Sequence, residues 1–523
     1  MNNQQIERLN SIEGDIKRIA EEMGLTTTDV DFEIVSSRKM IESMAYRFTT
    51  NFSHWSFGRD YDKQKTIYEH HGAGIPYETV WNSIPPKAYL VETNPVILNI
   101  LVMAHVYGHV DFNLENRYMR NASDYMDLAR EARNAENRFK KYERKYGLEA
   151  YEQTIDSAFS VCWHLPPDLL SEQEDEEVLR RRLIDMKMER IRGIQKREFH
   201  QDKSEIDSLK KEIEELQKRT PPIPRYDILR YVLEKSPKPL ADWQKYIVST
   251  IREQTKFFEH QKRCKLLNEG WATYVHMHIM RQLYEEELIT AEEYNEYSKF
   301  HSKVTQPSTK TLNWYNVGLK LYQDLVYRWD RGMHGREFYE SKDPDKWVNF
   351  DKEASKGIEK IFEVRKNYSD RMAIEEFFDE AFIRDAEIYL WNEQMDPRTG
   401  EIKQVISEED EKNIKRVLKS FFSLYGTPVI TIQDGNFKQN RELYLKHEFT
   451  GQELNPALES GALENLYYLW GKPVHLETVE IDRDSNEEVK GIKKLVHTYD
   501  GESHDIRKDK LENASEIDVK RRS

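Results

Sequence analysis

ETNPVILNILVMAHVYGHVDF, residues 92–112, is the stretch on which the reading of this sequence turns. Asn94 can cap a helix, and Pro95 fits the first helical position, where its missing N–H costs nothing. The residues that follow are apolar on nearly every side of a helical wheel, and a helix that is apolar all round is buried. The run from Val96 to Val106 is interrupted by Asn99 and is too short to span a bilayer. The segment is therefore expected to run through the centre of a helical domain.

His105 and His109 lie on that helix four residues apart, on one face and one turn apart. This spacing lets two imidazoles hold one metal ion, as the two histidines of an H-E-x-x-H zinc site do. On a surface helix the pattern is commonplace. On a buried one, two imidazoles need partners, and a metal or a carboxylate supplies them. Val106 stands where a zincin carries its general-base Glu, so hydrolysis would need a base from elsewhere. Asp111, two positions beyond His109, falls on a different face and is expected to orient a ligand or end the helix.

A third ligand is sought in Asn268-Glu269-Gly270-Trp271-Ala272. The string is similar to the second helix of several H-E-x-x-H peptidase families, where the Glu completes the zinc site. Gly270 and Ala272 leave room for another backbone to approach closely, as joining two ligand-bearing helices requires. The expected metal ligands are thus His105, His109 and Glu269, a donor set that suits zinc with an open position and also iron. His276 shares a face with Glu269 but lies about 10 Å further along the axis, which fits a supporting or substrate-facing role. His301 and Glu92 are candidates for a fourth ligand or a base, so the proton carrier is expected among Glu92, His276 and His301. The bland alternative is a buried Glu–His or Glu–Arg pair that only holds helices together.

Outward from this helix, the 523 residues should divide into two or three packed units. Charged residues make up 33% and apolar residues 38%, yet 21 Phe, 10 Trp and 29 Tyr are too many for a solvated coil. A net charge of −15 argues against nucleic-acid binding, which needs a basic surface. Two cysteines, Cys162 and Cys264, give no disulfide framework and no cysteine-based zinc site. Residues 1–25 read as a helix, with Ile6, Leu9, Ile12, Ile16 and Ile19 at spacings of three and four, and carry no signal-type apolar core. A cytoplasmic chain without a membrane span is expected.

The fold class expected is mainly α: a large, zincin-like helical domain over 1–420, then a small α+β domain over 425–498 and a polar, fraying tail over 499–523. From about 170 to 220 the composition turns to Glu, Lys and Arg. There Ile206, Leu209, Ile213 and Leu216 follow a short heptad, and Pro221, Pro222 and Pro224 end it. This reads as a solvated helical excursion, with a partner-binding coiled coil as the alternative. Helices are expected from Trp243 to about Leu288 and over 314–330, 351–365 and 373–390. TPVITIQDG, RELYLKHEF and KPVHLETVEI alternate as strands, with a helix over 456–470 between two of them.

FSHWSFGRDY, LVMAHVYGHVDF, LLNEGWATYVH, WYNVGLKLYQDLVYRWDRG, ELYLKHEFTGQELN and LYYLWGKPVHLET, in this order, resemble the SpoVR (stage V sporulation protein R) family over nearly the whole chain. The resemblance implies a cytoplasmic bacterial or archaeal protein. In spore formers it implies a link to spore cortex formation. Elsewhere it implies a stress or stationary-phase role beside a PrkA-type serine kinase and a YhbH-type protein. It implies no settled biochemical activity. The charged stretch is longer than is usual in the family, and Asn313-Trp314-Tyr315 stands where the family more often has Asn-Pro-Tyr.

Overall fold

The computed structural model describes residues 1–46, 52–71, 79–81, 85–123, 128–166, 174–196, 203–308, 312–341, 355–395, 401–424, 427–449, 452–483 and 489–510. The chain is mainly helical, with its larger sheet near the C-terminal end, as the alternation of residues leads one to expect. It divides into two units, Met1–Arg138 with Phe257–Tyr425 and Phe139–Lys256 with Gly426–Ser523. Among the described residues no helix is long and apolar enough to cross a membrane.

The first unit is built around three packed helices. Val96–Glu115 is buried over almost its whole circumference, from Ile97 to Asn113. Lys265–Glu285 lies between it and Trp314–Asp330, and small residues set both spacings. A Cβ on Gly108 would sit 2.6 Å from the Ala272 Cα, and one on Gly270 would sit 2.4 Å from the Gly318 carbonyl carbon. Both crossings therefore require glycine. Ala272 is the residue that meets the histidine helix, while Gly270 faces the third helix. Asn3–Glu22 adds Leu9, Ile12, Ile16 and Ile19 to the same core. A three-stranded sheet, Asp31–Val35, Lys87–Val91 and Thr79–Trp81 in spatial order, leads through its central strand into the histidine helix.

Several local details depart from the sequence reading. The cap of the Val96–Glu115 helix is Pro95, because the Asn94 amide instead donates to Asn99 Oδ1 (3.2 Å). The long helix expected from Trp243 is two, Asp242–Lys262 and Lys265–Glu285. The break is stabilised from outside: the Asp370 carboxylate accepts from the Leu266 and Leu267 amides at 2.8 and 3.0 Å, capping the second helix where Cys264 makes no side-chain cap. The 373–390 pattern likewise forms two short helices, Asp370–Phe377 and Glu380–Asp385.

The second unit carries a five-stranded sheet in the order His504–Lys510, Val489–Tyr499, Val474–Arg483, Glu442–His447, Ile430–Phe437. Its one parallel pair, Glu442–His447 with Val474–Arg483, is joined through the Pro456–Trp470 helix. That helix has Asn455 as its cap, Pro456 in its first turn and Gly471 in the left-handed region at its end, the signals that define it in sequence. The polar residues after 499 begin as a strand rather than a frayed end. Asp500 accepts from the Glu502 and Ser503 amides and turns the chain, so His504–Lys510 pairs with Lys493–Tyr499. The remainder of that tail, 511–523, lies outside the described residues. The charged stretch forms two helices, Glu176–Gln195 and Lys203–Lys218, with a small core of their own: Ile191, Ile194, Ile206, Leu209 and Ile213.

Candidate metal centre

The His105 and His109 rings project from one face of the central helix, edge to face with centroids 4.7 Å apart. Glu269 reaches them from the neighbouring helix because the Gly108–Ala272 contact brings the two backbones together. Its Oε2 lies 3.6 Å from His105 Nε2 and 3.5 Å from His109 Nε2. One ligand atom from each of the three residues lies within 4.8 Å of the others. Ligands about 2.0–2.1 Å from a tetrahedral zinc stand about 3.3–3.5 Å apart, so the two imidazole–carboxylate separations match a metal's first shell. They are too long for hydrogen bonds.

The remaining atoms of the site support the same reading. Glu269 Oε2 is buried and accepts no hydrogen bond among the described residues. Leaving a buried carboxylate oxygen in this state is costly unless a cation satisfies it. The outer nitrogens of both imidazoles are engaged. His109 Nδ1 bonds Asn268 Oδ1 at 2.9 Å, and His105 Nδ1 bonds His276 Nδ1 at 2.9 Å. Histidines that ligate metals hold their second nitrogen in this way, which fixes the ring and directs the other nitrogen inward. These residues therefore fit a metal ion of the zinc or iron type by donor set and by orientation.

The expected proton carriers are placed differently from one another. His276 stands behind His105, and its Nε2 continues to His301 Nδ1 at 2.9 Å, making a line of three imidazoles. Burial holds His301 below the ordinary imidazole value, and the nearby His105 acts in the same direction. Glu92 is exposed on the turn before the helix, where its amide bonds the Val35 carbonyl. Thirteen residues separate it from His105, about 20 Å along a helix, so the fold does not bring Glu92 to the cluster.

Asp111 neither contacts a ligand nor ends its helix. It is fully buried, where it accepts from the Thr26 amide and from Trp271 Nε1, both at 2.8 Å, and faces Arg365 at 3.4 Å. Burial pushes its carboxyl up to about 6 against the pull of Arg365. Asp111 thus ties the helix of His105 and His109 to that of Glu269 through Trp271, which gives the Trp of the NEGWA string its purpose. Two site residues carried no signal of their own in the sequence. Asn268 precedes Glu269 on the helix and was legible only as part of its string. Tyr315, in the first turn of Trp314–Asp330, sets its ring 5.8 Å from that of His105, a contact only the packing of the third helix creates.

The family model described as SpoVR like protein matches residues 3–426, and that described as SpoVR-like C-terminal domain matches 428–481. The chain is 26% identical over 480 residues to the uncharacterized protein YcgB of Escherichia coli (strain K12), covering 88% of this chain and 90% of that protein. No solved structure matches the chain.

Proposed function

We propose that this chain, which belongs to the SpoVR family, is a metal-dependent hydrolase of an amide or peptide bond, with His105, His109 and Glu269 as its metal ligands. The observation that carries the reading is the buried Glu269 Oε2, which accepts no hydrogen bond among the described residues and faces two imidazole nitrogens at 3.5 and 3.6 Å. A zinc or iron ion held there would lower the pKa of a bound water and polarise a substrate carbonyl. Around it, Asn268 fixes His109 and His276 fixes His105, each through the outer ring nitrogen. His276 and His301 hold the His105 ring from its outer nitrogen, which leaves the Tyr315 face of the cluster for substrate. In the cell, the reading places this hydrolysis in spore cortex formation or in the stress and stationary-phase response.

A second reading is a regulator that works with a PrkA-type serine kinase and a YhbH-type protein, its His and Glu cluster being structural. One observation favours it. The charged Glu176–Gln195 helix exposes Val178, Met186 and Met188, apolar groups that suit a docking partner. Assay of the purified protein on a panel of peptides and acyl amides separates the two. The hydrolase reading predicts turnover that falls at least ~100-fold on chelation or in Glu269→Gln and returns with added Zn²⁺ or Fe²⁺. Metal-loaded protein that turns over none of the panel, but binds the kinase through the Glu176–Gln195 helix, supports the regulator.

A further inference from the structure

The line His105–His276–His301 has a property that none of its members has alone. His105 Nδ1 and His276 Nδ1 are 2.9 Å apart, as are His276 Nε2 and His301 Nδ1. Between two neutral imidazole nitrogens at this distance lies one hydrogen, and each neutral ring carries one hydrogen in total. The tautomer of one ring therefore dictates the next. Two arrangements satisfy both contacts. In the first, His105 is protonated on Nδ1, and His276 and His301 on Nε2. In the second, His105 is protonated on Nε2, and the other two on Nδ1.

What faces His105 Nε2 selects between them. A metal ion there requires an unprotonated nitrogen and so selects the first arrangement. Without a metal, the buried Glu269 Oε2 lies 3.6 Å from His105 Nε2, beyond hydrogen-bond distance, and its negative charge favours a hydrogen on the nitrogen that faces it. His109 is poorly placed to serve that oxygen, because its Nδ1–H donates to Asn268 Oδ1 and a neutral ring then has no hydrogen on Nε2. A hydrogen on His105 Nε2 is then the one that offsets the carboxylate charge, which selects the second arrangement.

We propose that metal occupancy sets the polarity of this three-imidazole line, so that His301 Nε2 is a lone-pair acceptor when the site is empty and an N–H donor when it is filled. The inference rests on the metal-site reading above. The protons balance: one leaves His105 Nε2 for solvent, one crosses each of the two hydrogen bonds toward His105, and one enters at His301 Nε2 from solvent. Every ring stays neutral throughout. The signal travels two ring-to-ring steps of 5.1 Å each, from the buried cluster to the half-buried end of the Ala291–Val304 helix. By linkage, a carboxylate or phosphate accepting from His301 Nε2 tightens metal binding, and a donor placed there weakens it.

The test uses full-length protein labelled with ¹⁵N at histidine, at about pH 8, above the ordinary imidazole value of about 6.5. Long-range ¹H–¹⁵N correlations report which ring nitrogen carries the hydrogen, and His276→Gln and His301→Gln assign the signals. Chelator-treated protein is expected to show His276 and His301 protonated on Nδ1, and one equivalent of Zn²⁺ is expected to move both hydrogens to Nε2. Zinc that binds in a Glu269-dependent way but leaves both tautomers unchanged overturns the relay and spares the metal site. Absence of zinc binding overturns both. Two variants give an independent measure of Zn²⁺ affinity. The amide of His301→Gln can accept from or donate to His276, so affinity should stay within about 3-fold. His301→Phe offers neither and should lose about 10- to 100-fold, as outer partners of metal ligands do. Equal effects of the two variants contradict the proposal.

Discussion

Glu269 and His276 occupy one face of one helix, yet the geometry gives them separate tasks. Glu269 supplies the only carboxylate among the described residues whose oxygen meets both imidazoles, whereas His276 touches His105 from behind. Removing the carboxylate takes away the charge that compensates a divalent ion. Removing the imidazole takes away only the orientation of one ligand, worth roughly 10- to 100-fold in affinity. Glu269→Gln is therefore expected to empty the site. His276→Gln should keep the metal at micromolar loading while losing biological activity, with the fold unchanged by circular dichroism. Metal titration of the two variants, with in-cell complementation, checks this. A His276→Gln protein that loses the metal while Glu269→Gln retains it reverses the assignment.

Two ligand-bearing helices can share a metal only if their backbones come close, and Gly108 against Ala272 is where this pair does. A methyl group on Gly108 would meet backbone at 2.6 Å, a contact no rotamer change relieves. Gly108→Ala should cost about 1–3 kcal/mol, the usual range for overpacking, and weaken metal binding as well, since it pushes Glu269 from the imidazoles. Gly14, on the Asn3–Glu22 helix with open space at its Cβ, is the control, and Gly14→Ala should be neutral or stabilising. Denaturant midpoints and metal affinity for the two variants decide it. At this scale much was legible in the sequence. The apolar surround of Val96–Glu115, the shared face of His105 and His109, and the small residues beside Glu269 all follow from local pattern. What local pattern could not give is contact between distant segments. Asp370 caps a helix a hundred residues away, Asp111 bonds Trp271, and Tyr315 packs on His105. The strand His504–Lys510 escaped notice for the same reason, because its polar residues gain order only from pairing with the strand before it.

Buried histidines and buried carboxyl groups of this molecule respond to pH in opposite senses. In the sheet of the second unit, burial holds His447 and His475 below the ordinary imidazole value, partly offset by Glu448 and Glu442 respectively. A histidine depressed by folding contributes stability that is present above its unfolded value of about 6.5 and lost as pH falls through its folded value. In the first unit, burial pushes Asp324 up to about 6 against Arg328. A raised carboxyl contributes stability that is present below its unfolded value and lost as pH rises through about 6. His447→Gln should therefore flatten the fall in the thermal midpoint between about pH 6.5 and 5, and Asp324→Asn should steepen it. Thermal midpoints of both variants against the parent across that window test the signs. Elemental analysis of protein purified without chelator asks most simply whether His105, His109 and Glu269 hold a metal ion. About one equivalent of a transition metal per chain is expected, lost in both His105→Ala and Glu269→Gln, while metal-free protein from several expression conditions, or metal that survives both substitutions, would show that these residues are not a metal centre.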